Sequence, residues 1–137
     1  MKLILTQPIK EHLIKLCAAY YPREMCGVLT GRINDEEIIV RNFHWMPNIS
    51  TEPGQWDYVM DPVSYFDIVV PTRNNPVKIV SIFHTHPHSS PIPSGMDIDS
   101  AIKSGENVPY LIYSPIAGFR AWDLQEYPTK EIEVNYE

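Results

Sequence analysis

The stretch Val77–Phe83 constrains the fold more than any other part of the chain. Valine, isoleucine and phenylalanine make up most of it. An apolar, β-branched run of this length predicts a strand in the middle of a sheet, covered on both faces. The chain has 137 residues, which suits one domain, residues 1–137, built around one hydrophobic core.

Spacing and turn residues predict the remaining elements. The predicted helices run from Gln7 to just before Pro22, from Asp61-Pro62 to about Arg73, and over Gly95–Lys103. The further predicted strands are Cys26–Thr30 closed by Gly31, Glu37–Phe43, Trp56–Met60, Tyr110–Tyr113, Phe119–Leu124 and, as an edge strand, Glu131–Tyr136. The fold class is therefore α/β, with six or seven strands in a mixed sheet and three helices.

Charge and composition exclude several classes of partner. Lysine and arginine number 11 and aspartate and glutamate 17, so the net charge is −6. An acidic chain without a basic cluster predicts no nucleic-acid partner and no attraction to anionic membranes. No apolar stretch reaches the roughly 20 residues of a membrane span, and the first apolar run is too short for a signal peptide. Two cysteines do not indicate a disulfide framework, and the cytoplasm is the expected location.

Two histidines follow the central strand. His84 and His86 are separated by one residue, and residues i and i+2 of a strand point to the same face. Their imidazoles can therefore reach a single metal ion at about 2.0–2.1 Å. Pro87 then stops the strand, at a position where sites often open. The pair also fits ordinary polar residues at a strand end, and the residues alone leave that alternative open.

A carboxylate follows after a proline-rich loop. Ser94 begins a predicted helix, and Asp97 falls in its first turn, from which the carboxylate can reach back toward the two histidines. Two histidines, one carboxylate and an open position are typical of a catalytic zinc site rather than a structural one. Ser94 and Asp97 also suit a plain helix N-terminus. His88 competes with Asp97 as the third ligand, although its direction relative to the strand is not fixed.

These residues resemble the signature of a known family. The His-Glu-x-x-His pattern of many zinc peptidases is absent. Instead, His84-Thr85-His86 is followed by seven residues, 87–93, and then by Ser94-Gly-Met-Asp97. This spacing is that of the JAMM (MPN+) metalloproteases. The segments PREMCGVLTG at 22–31, MPNIS at 46–50 and YVMDP at 58–62 also resemble the family's Glu-containing stretch, its Asn-containing loop and its Asp-Pro helix start.

The resemblance implies a role for each matching residue. His84, His86 and Asp97 would bind Zn²⁺, with a water in the fourth position. Glu24 would be the general acid and base, and Ser94 would stabilise the oxyanion. Without the motif at residues 84–97, Glu24 would be interpreted as a solvated glutamate after a helix. Cys26 resembles a small buried strand residue rather than a nucleophile, because no basic neighbour is evident to lower its pKa.

The resemblance also implies a fold and an activity. The fold is a single MPN-type domain, a mixed sheet flanked by helices and similar to cytidine deaminases. The activity is hydrolysis of peptide or isopeptide bonds at the C-terminus of ubiquitin-like or sulfur-carrier proteins, and the chain resembles a compact prokaryotic-type member. Two alternatives stay open: a zinc amidase or peptidase acting on phage-tail or cell-wall peptides, and a non-catalytic binding scaffold. The aromatic residues Phe43, Trp45, Trp56 and Tyr58 suit either core packing or a groove for an extended tail.

Overall fold

A sheet of seven strands dominates the part of the chain that the structure describes. The structure is a computed structural model that describes residues 1–50, 58–72, 75–105, 107–125 and 128–137. The strands are β1 (Lys2–Leu5), β2 (Cys26–Ile33), β3 (Glu37–Met46), β4 (Lys78–Thr85), β5 (Tyr110–Ser114), β6 (Gly118–Asp123) and β7 (Lys130–Tyr136). The three helices are α1 (Gln7–Tyr20), α2 (Pro62–Thr72) and α3 (Gly95–Ser104).

The strand order is β1-β3-β2-β4-β5-β6-β7, and β7 pairs with β1 so that the sheet closes on itself. β4 lies between β2, to which it is antiparallel, and β5, to which it is parallel. From Val80 to Thr85 every residue of β4 is buried. The prediction of a central strand at Val77–Phe83 is therefore confirmed, with the strand starting one residue later and ending two residues later, so that it includes His84.

Helices cover the sheet on both faces. One core cluster contains Leu13 of α1 together with Leu29, Val80 and Phe83 of the sheet. The other contains Ala101 of α3 and packs against apolar side chains of α2. The mixed sheet flanked by three helices confirms the predicted fold class, and two separate clusters replace the single core that was expected.

Two sequence expectations about the strands are corrected, and one strand is new. The stretch Lys2–Leu5, to which the sequence analysis assigned no element, forms β1 and pairs in parallel with β3 and β7. The strand predicted at Glu131–Tyr136 is not an edge strand, since β6 and β1 flank it. β2 does not end before Gly31 but continues to Ile33 through a register shift at Thr30/Gly31. A Cβ at Gly31 would overlap the carbonyl of Ile39, so glycine permits the close approach of β3.

The connection between β3 and α2 is only partly described. Trp56 and Arg73, which the sequence placed in a strand and a helix, lie outside the described residues. Within the described part, Asn48 and Met60 form an isolated antiparallel bridge. No helix among the described residues is long and apolar enough to cross a membrane.

Candidate metal centre

Both histidines of the motif point to the same side at the end of β4. His84 is fully buried and His86 is 7% exposed. Their Nε2 atoms lie 3.1 Å apart. The alternation of side chains along a strand brings the two rings together, as the sequence predicted.

Asp97 completes a triangle with the two imidazoles. Its Oδ1 lies 3.3 Å from Nε2 of His84, and its Oδ2 lies 3.1 Å from Nε2 of His86. The carboxylate is also part of a capping box: Oδ2 accepts from Ser94 N at 2.8 Å, and Asp97 N donates to Ser94 Oγ at 3.1 Å. The helix N-terminus that the sequence also suited is therefore present, and its cap orients the carboxylate that faces the histidines.

Neighbouring groups fix the orientation of each ring. Nδ1–H of His86 donates to the Ser90 carbonyl at 2.9 Å, which leaves Nε2 as the nitrogen with a lone pair for a metal. The ring of His84 stacks on Tyr58 with centroids 4.5 Å apart. Nδ1 of His84 makes no hydrogen bond to any residue in the described part of the chain, so packing and the contact of Nε2 with Asp97 hold this ring.

The spacing of these donor groups fits a metal ion. Four ligands placed tetrahedrally at the bond lengths of zinc are separated by about 3.3 Å. Here the two Nε2 atoms are 3.1 Å apart, and each lies 3.1–3.3 Å from one of the two Asp97 oxygens. Burial by itself would raise the pKa of Asp97, but the charge of His84 and the hydrogen bonds from His84, His86 and Ser94 hold it well below its usual range. The carboxylate is therefore ionised and ready to coordinate a cation.

Glu24 lies beside the histidines although it is remote in sequence. It sits in the connection from α1 to β2 and is 6% exposed, so it is not the solvated glutamate considered as the alternative. Ligand atoms of Glu24, His84 and His86 all lie within 4.8 Å of one another. Two hydrogen bonds between Met25 and Thr85, 2.9 and 3.0 Å long, join this connection to the end of β4.

His88 is directed elsewhere. Its Nε2 donates to the carbonyl of Pro22 at 3.0 Å, and its ring packs edge-on against Tyr21 with centroids 5.1 Å apart. The structure thus brings Asp97, and not His88, into contact with the His84 and His86 nitrogens.

The described aromatic residues of the β3–α2 region, Phe43, Trp45 and Tyr58, do not form one surface. Phe43 packs against the core ring of Phe83, with centroids 5.7 Å apart. Trp45 is 45% exposed and stacks on Tyr20 of α1. Tyr58 lies on His84. Packing explains Phe43, whereas Trp45 and Tyr58 border the candidate site.

Cys26 has no nucleophilic character in this environment. It is buried in β2, and burial, assisted by the charge of Glu24, raises the pKa of its thiol to about 12. The thiolate is therefore absent near neutral pH, which confirms the interpretation of Cys26 as a small packed strand residue.

Sequence reasoning missed the role of Asn48. The residue was noted within the segment MPNIS, but no function was assigned to it. In the structure its side-chain amide donates to the carbonyl of Glu24 at 3.0 Å. An asparagine next to a proline in a polar loop signals a turn, but nothing local indicates which distant carbonyl it binds.

The fold, together with the convergence of His84, His86 and Asp97, points to a JAB-type domain. The family described as prokaryotic homologs of the JAB domain matches residues 6–125. The chain belongs to this family, which confirms the resemblance that the motif carried.

Relatives of known or assigned activity are similar along most of the chain. A desampylase of Haloferax volcanii is 30% identical over 129 residues, which cover 94% of this chain and 89% of the relative. A probable TtuB-protein conjugate cleaving protease of Thermus thermophilus is 28% identical over 122 residues, covering 89% of this chain and 73% of the relative.

Solved structures share the fold. A protein from Desulfitobacterium hafniense superposes with a TM-score of 0.84 at 24% identity, covering 100% of this chain and 93% of that one. A JAB1/MPN domain protein from Archaeoglobus fulgidus superposes with a TM-score of 0.60 at 16% identity, covering 98% of each chain. Because both sequence identities are below 25%, these structures show that the fold is shared and nothing about activity.

Replacing His86 with alanine should abolish metal binding, whereas His88→Ala should leave it intact. His86 supplies one of the three converging ligand atoms, while His88 binds the Pro22 carbonyl. Elemental analysis of each purified protein after loading with zinc and dialysis measures the metal. We expect one equivalent per chain for the unmodified protein and for His88→Ala. Loss of metal from His88→Ala, with retention in His86→Ala, would show that the third ligand has been assigned wrongly.

Proposed function

We propose that this protein is a zinc-dependent isopeptidase that hydrolyses the amide bond at the C-terminus of a ubiquitin-like or sulfur-carrier protein. The observation that carries the proposal is the convergence of His84, His86 and Asp97 beside the buried carboxyl group of Glu24. The names of the relatives, desampylase and conjugate cleaving protease, support the choice of substrate class.

The metal would be held by Nε2 of His84, Nε2 of His86 and the carboxylate of Asp97. Two imidazoles and one carboxylate form the donor set of many hydrolytic zinc sites, in which one position remains open. Zinc held by these residues would supply Lewis-acid chemistry, polarising the scissile carbonyl and lowering the pKa of a water. The surrounding side chains would bind and orient the substrate and transfer the protons.

Glu24 would move the proton. Its carboxylate accepts the proton of the attacking water and returns it to the nitrogen of the leaving amine, so the acid and the base are one group. Burial keeps bulk water away from this carboxylate. The hydrogen bonds of Met25 to Thr85 tie it to the strand that carries His84, so base and metal ligands share one rigid support.

Ser94 would stabilise the negative charge that develops on the carbonyl oxygen. Its Oγ accepts from Asp97 N, which leaves the hydroxyl hydrogen available for donation. The residue is exposed, so a substrate carbonyl can approach it. A donor placed at the N-terminus of α3 also benefits from the positive end of the helix dipole.

Cavities on two sides of the site would receive the two parts of the substrate. One of about 350 Å³ lies next to Tyr58, between β4, α2 and α3. Another of about 250 Å³ lies next to Glu24 and is walled by Tyr20 and Trp45. Because Glu24 protonates the leaving amine, the acceptor lysine would enter the cavity at Glu24, and the tail of the modifier would occupy the cavity at Tyr58.

The proposal predicts cleavage of an isopeptide conjugate by the zinc-loaded protein. Three substrates are incubated separately with the protein, and the products are identified by mass: TtuB joined through its C-terminus to a lysine of a reporter, TtuB with a linear peptide extension, and a cell-wall peptide. We expect the isopeptide conjugate to release intact TtuB with a free carboxylate. The rate on the linear fusion measures the preference for linear peptide bonds. Cleavage of the cell-wall peptide alone would support the amidase alternative, and no cleavage by fully loaded protein would support a binding scaffold.

A further inference from the structure

The backbone at Glu24 is attached to the fold from two directions. On its C-terminal side, Met25 N donates to Thr85 Oγ1 and Thr85 N donates to the Met25 carbonyl. These bonds fix the chain to β4. On the other side, the carbonyl of Glu24 itself accepts from Asn48 Nδ2 at 3.0 Å. The backbone at Glu24 is therefore held between β4, which carries His84, and the connection that follows β3.

Asn48 joins three backbone segments through one side chain. While Nδ2 binds the Glu24 carbonyl, Oδ1 accepts from Ser50 N at 3.1 Å and from Val59 N at 3.0 Å. The bond to Val59 fixes the segment in which Tyr58 stacks on His84. A side-chain amide carries both donors and acceptors, so a carboxylate of the same size cannot replace all three bonds.

A second hydrogen bond ties the same two segments together. Nη2 of Arg23 donates to the backbone carbonyl of Asn48 at 3.3 Å. Ile49 N also donates to the Val59 carbonyl at 2.8 Å, so Asn48 itself sits on a braced segment. These hydrogen bonds hold the Asn48 segment in place, so its side-chain amide can fix the position of the Glu24 carbonyl.

We propose that Asn48 is a positioning residue that sets the location of the Glu24 carboxylate relative to the metal ligands. This inference rests on the proposed role of Glu24 as the base. Asn48 acts through Glu24 and takes no proton itself. Its loss should therefore reduce turnover while zinc content and substrate binding stay nearly unchanged, because a displacement of about 1 Å can cost on the order of 10²-fold in rate.

Asn48→Asp removes the bond to the Glu24 carbonyl. Aspartate keeps the size of the side chain and the acceptor for Ser50 and Val59, but it cannot donate to the Glu24 carbonyl. Asn34→Asp is the matched control: Asn34 Oδ1 also accepts from two backbone amides, those of Glu36 and Glu37, in the β2–β3 turn at the other end of the hairpin. Asn48→Ser serves as a neutral second variant if Asn48→Asp does not fold, since serine can still cap the local turn.

We expect kcat on the isopeptide conjugate to fall about 10- to 100-fold in Asn48→Asp, with KM and zinc content close to those of the unmodified protein, and no such fall in Asn34→Asp. In a Glu24→Gln background, Asn48→Asp should cause no further loss, because residues that act as a unit are non-additive. An equal loss in both backgrounds, or full activity of Asn48→Asp, would overturn the proposal.

A readout independent of activity separates this inference from the proposed function. NMR of the metal-free protein should show changed resonances for the Glu24 carbonyl and the Met25 amide in Asn48→Asp, with the strands far from Asn48 unaffected. Unchanged Glu24 and Met25 resonances would overturn the positioning role whatever the activity. If the unmodified protein cleaves no conjugate while these resonances do change, the placement of Glu24 by Asn48 stands and the isopeptidase function fails.

Discussion

Glu24→Gln should lower turnover by about 10²–10⁴-fold, the contribution of a general acid–base group, while one equivalent of zinc is retained. Glutamine has nearly the same shape and can still form hydrogen bonds, but it cannot accept the proton of the attacking water. Since His84, His86 and Asp97, the proposed ligands, converge without Glu24, the metal should stay in place. Initial rates on the isopeptide conjugate, together with elemental analysis, measure both quantities.

Glu11→Gln is the control for this substitution. Glu11 lies on the exposed side of α1, and the change removes the same charge without touching the site. Its rate should match that of the unmodified protein. Full activity of Glu24→Gln would mean that another group carries the proton. Loss of zinc from Glu24→Gln would instead place Glu24 among the ligands, which is compatible with its ligand atom lying within 4.8 Å of those of both histidines.

Ser94→Asp should fold about as stably as the unmodified protein and still fail as an enzyme. Aspartate and asparagine both replace serine well at a helix N-cap, so either should preserve the bond from Asp97 N. Aspartate, however, places negative charge where the oxyanion develops. Ser94→Ala should lose the cap, at about 0.5–2 kcal/mol, and the oxyanion donor, at about 10²–10³-fold in turnover. Thermal melts, rates and zinc content of the Ala, Asn and Asp variants separate the two roles.

Thr6→Ala is the matched capping control for Ser94. Thr6 caps α1 by accepting from Ile9 N, and α1 has 14 residues, so this cap lies about 21 Å along the helix axis from the end that leads to Glu24. The change should cost stability but not turnover. A stable, zinc-loaded and fully active Ser94→Asp would leave Ser94 as a helix cap with no part in catalysis.

Local rules were enough to predict the core of the candidate site. The strand period places His84 and His86 on one side, and a helix beginning at Ser94 brings Asp97 back toward them. Both placements can be inferred from residues close in sequence, because the loop between the strand end and the helix is short and rich in proline. The contact between Glu24 and the histidines is different, because about 60 residues separate them and only the family resemblance nominated this glutamate.

Long-range pairing explains what the sequence could not predict. β1 has only four residues and pairs in parallel with β7 at the other end of the chain. No turn or spacing signal connects two such strands, so closure of the sheet and the loss of the edge at β7 could not be inferred. The same holds for Asn48, whose hydrogen bond to Glu24 depends on how β3 and the end of α1 come together.

The most direct test of a zinc-dependent isopeptidase is to titrate zinc into the metal-free protein and measure cleavage of the TtuB conjugate at each step. Activity should be absent without zinc, rise in proportion to added metal, and level off at one equivalent per chain. The His86→Ala variant, titrated in parallel, should stay inactive throughout. Cleavage by the metal-free protein at the rate of the loaded one, or no cleavage after one equivalent has bound, would contradict the account.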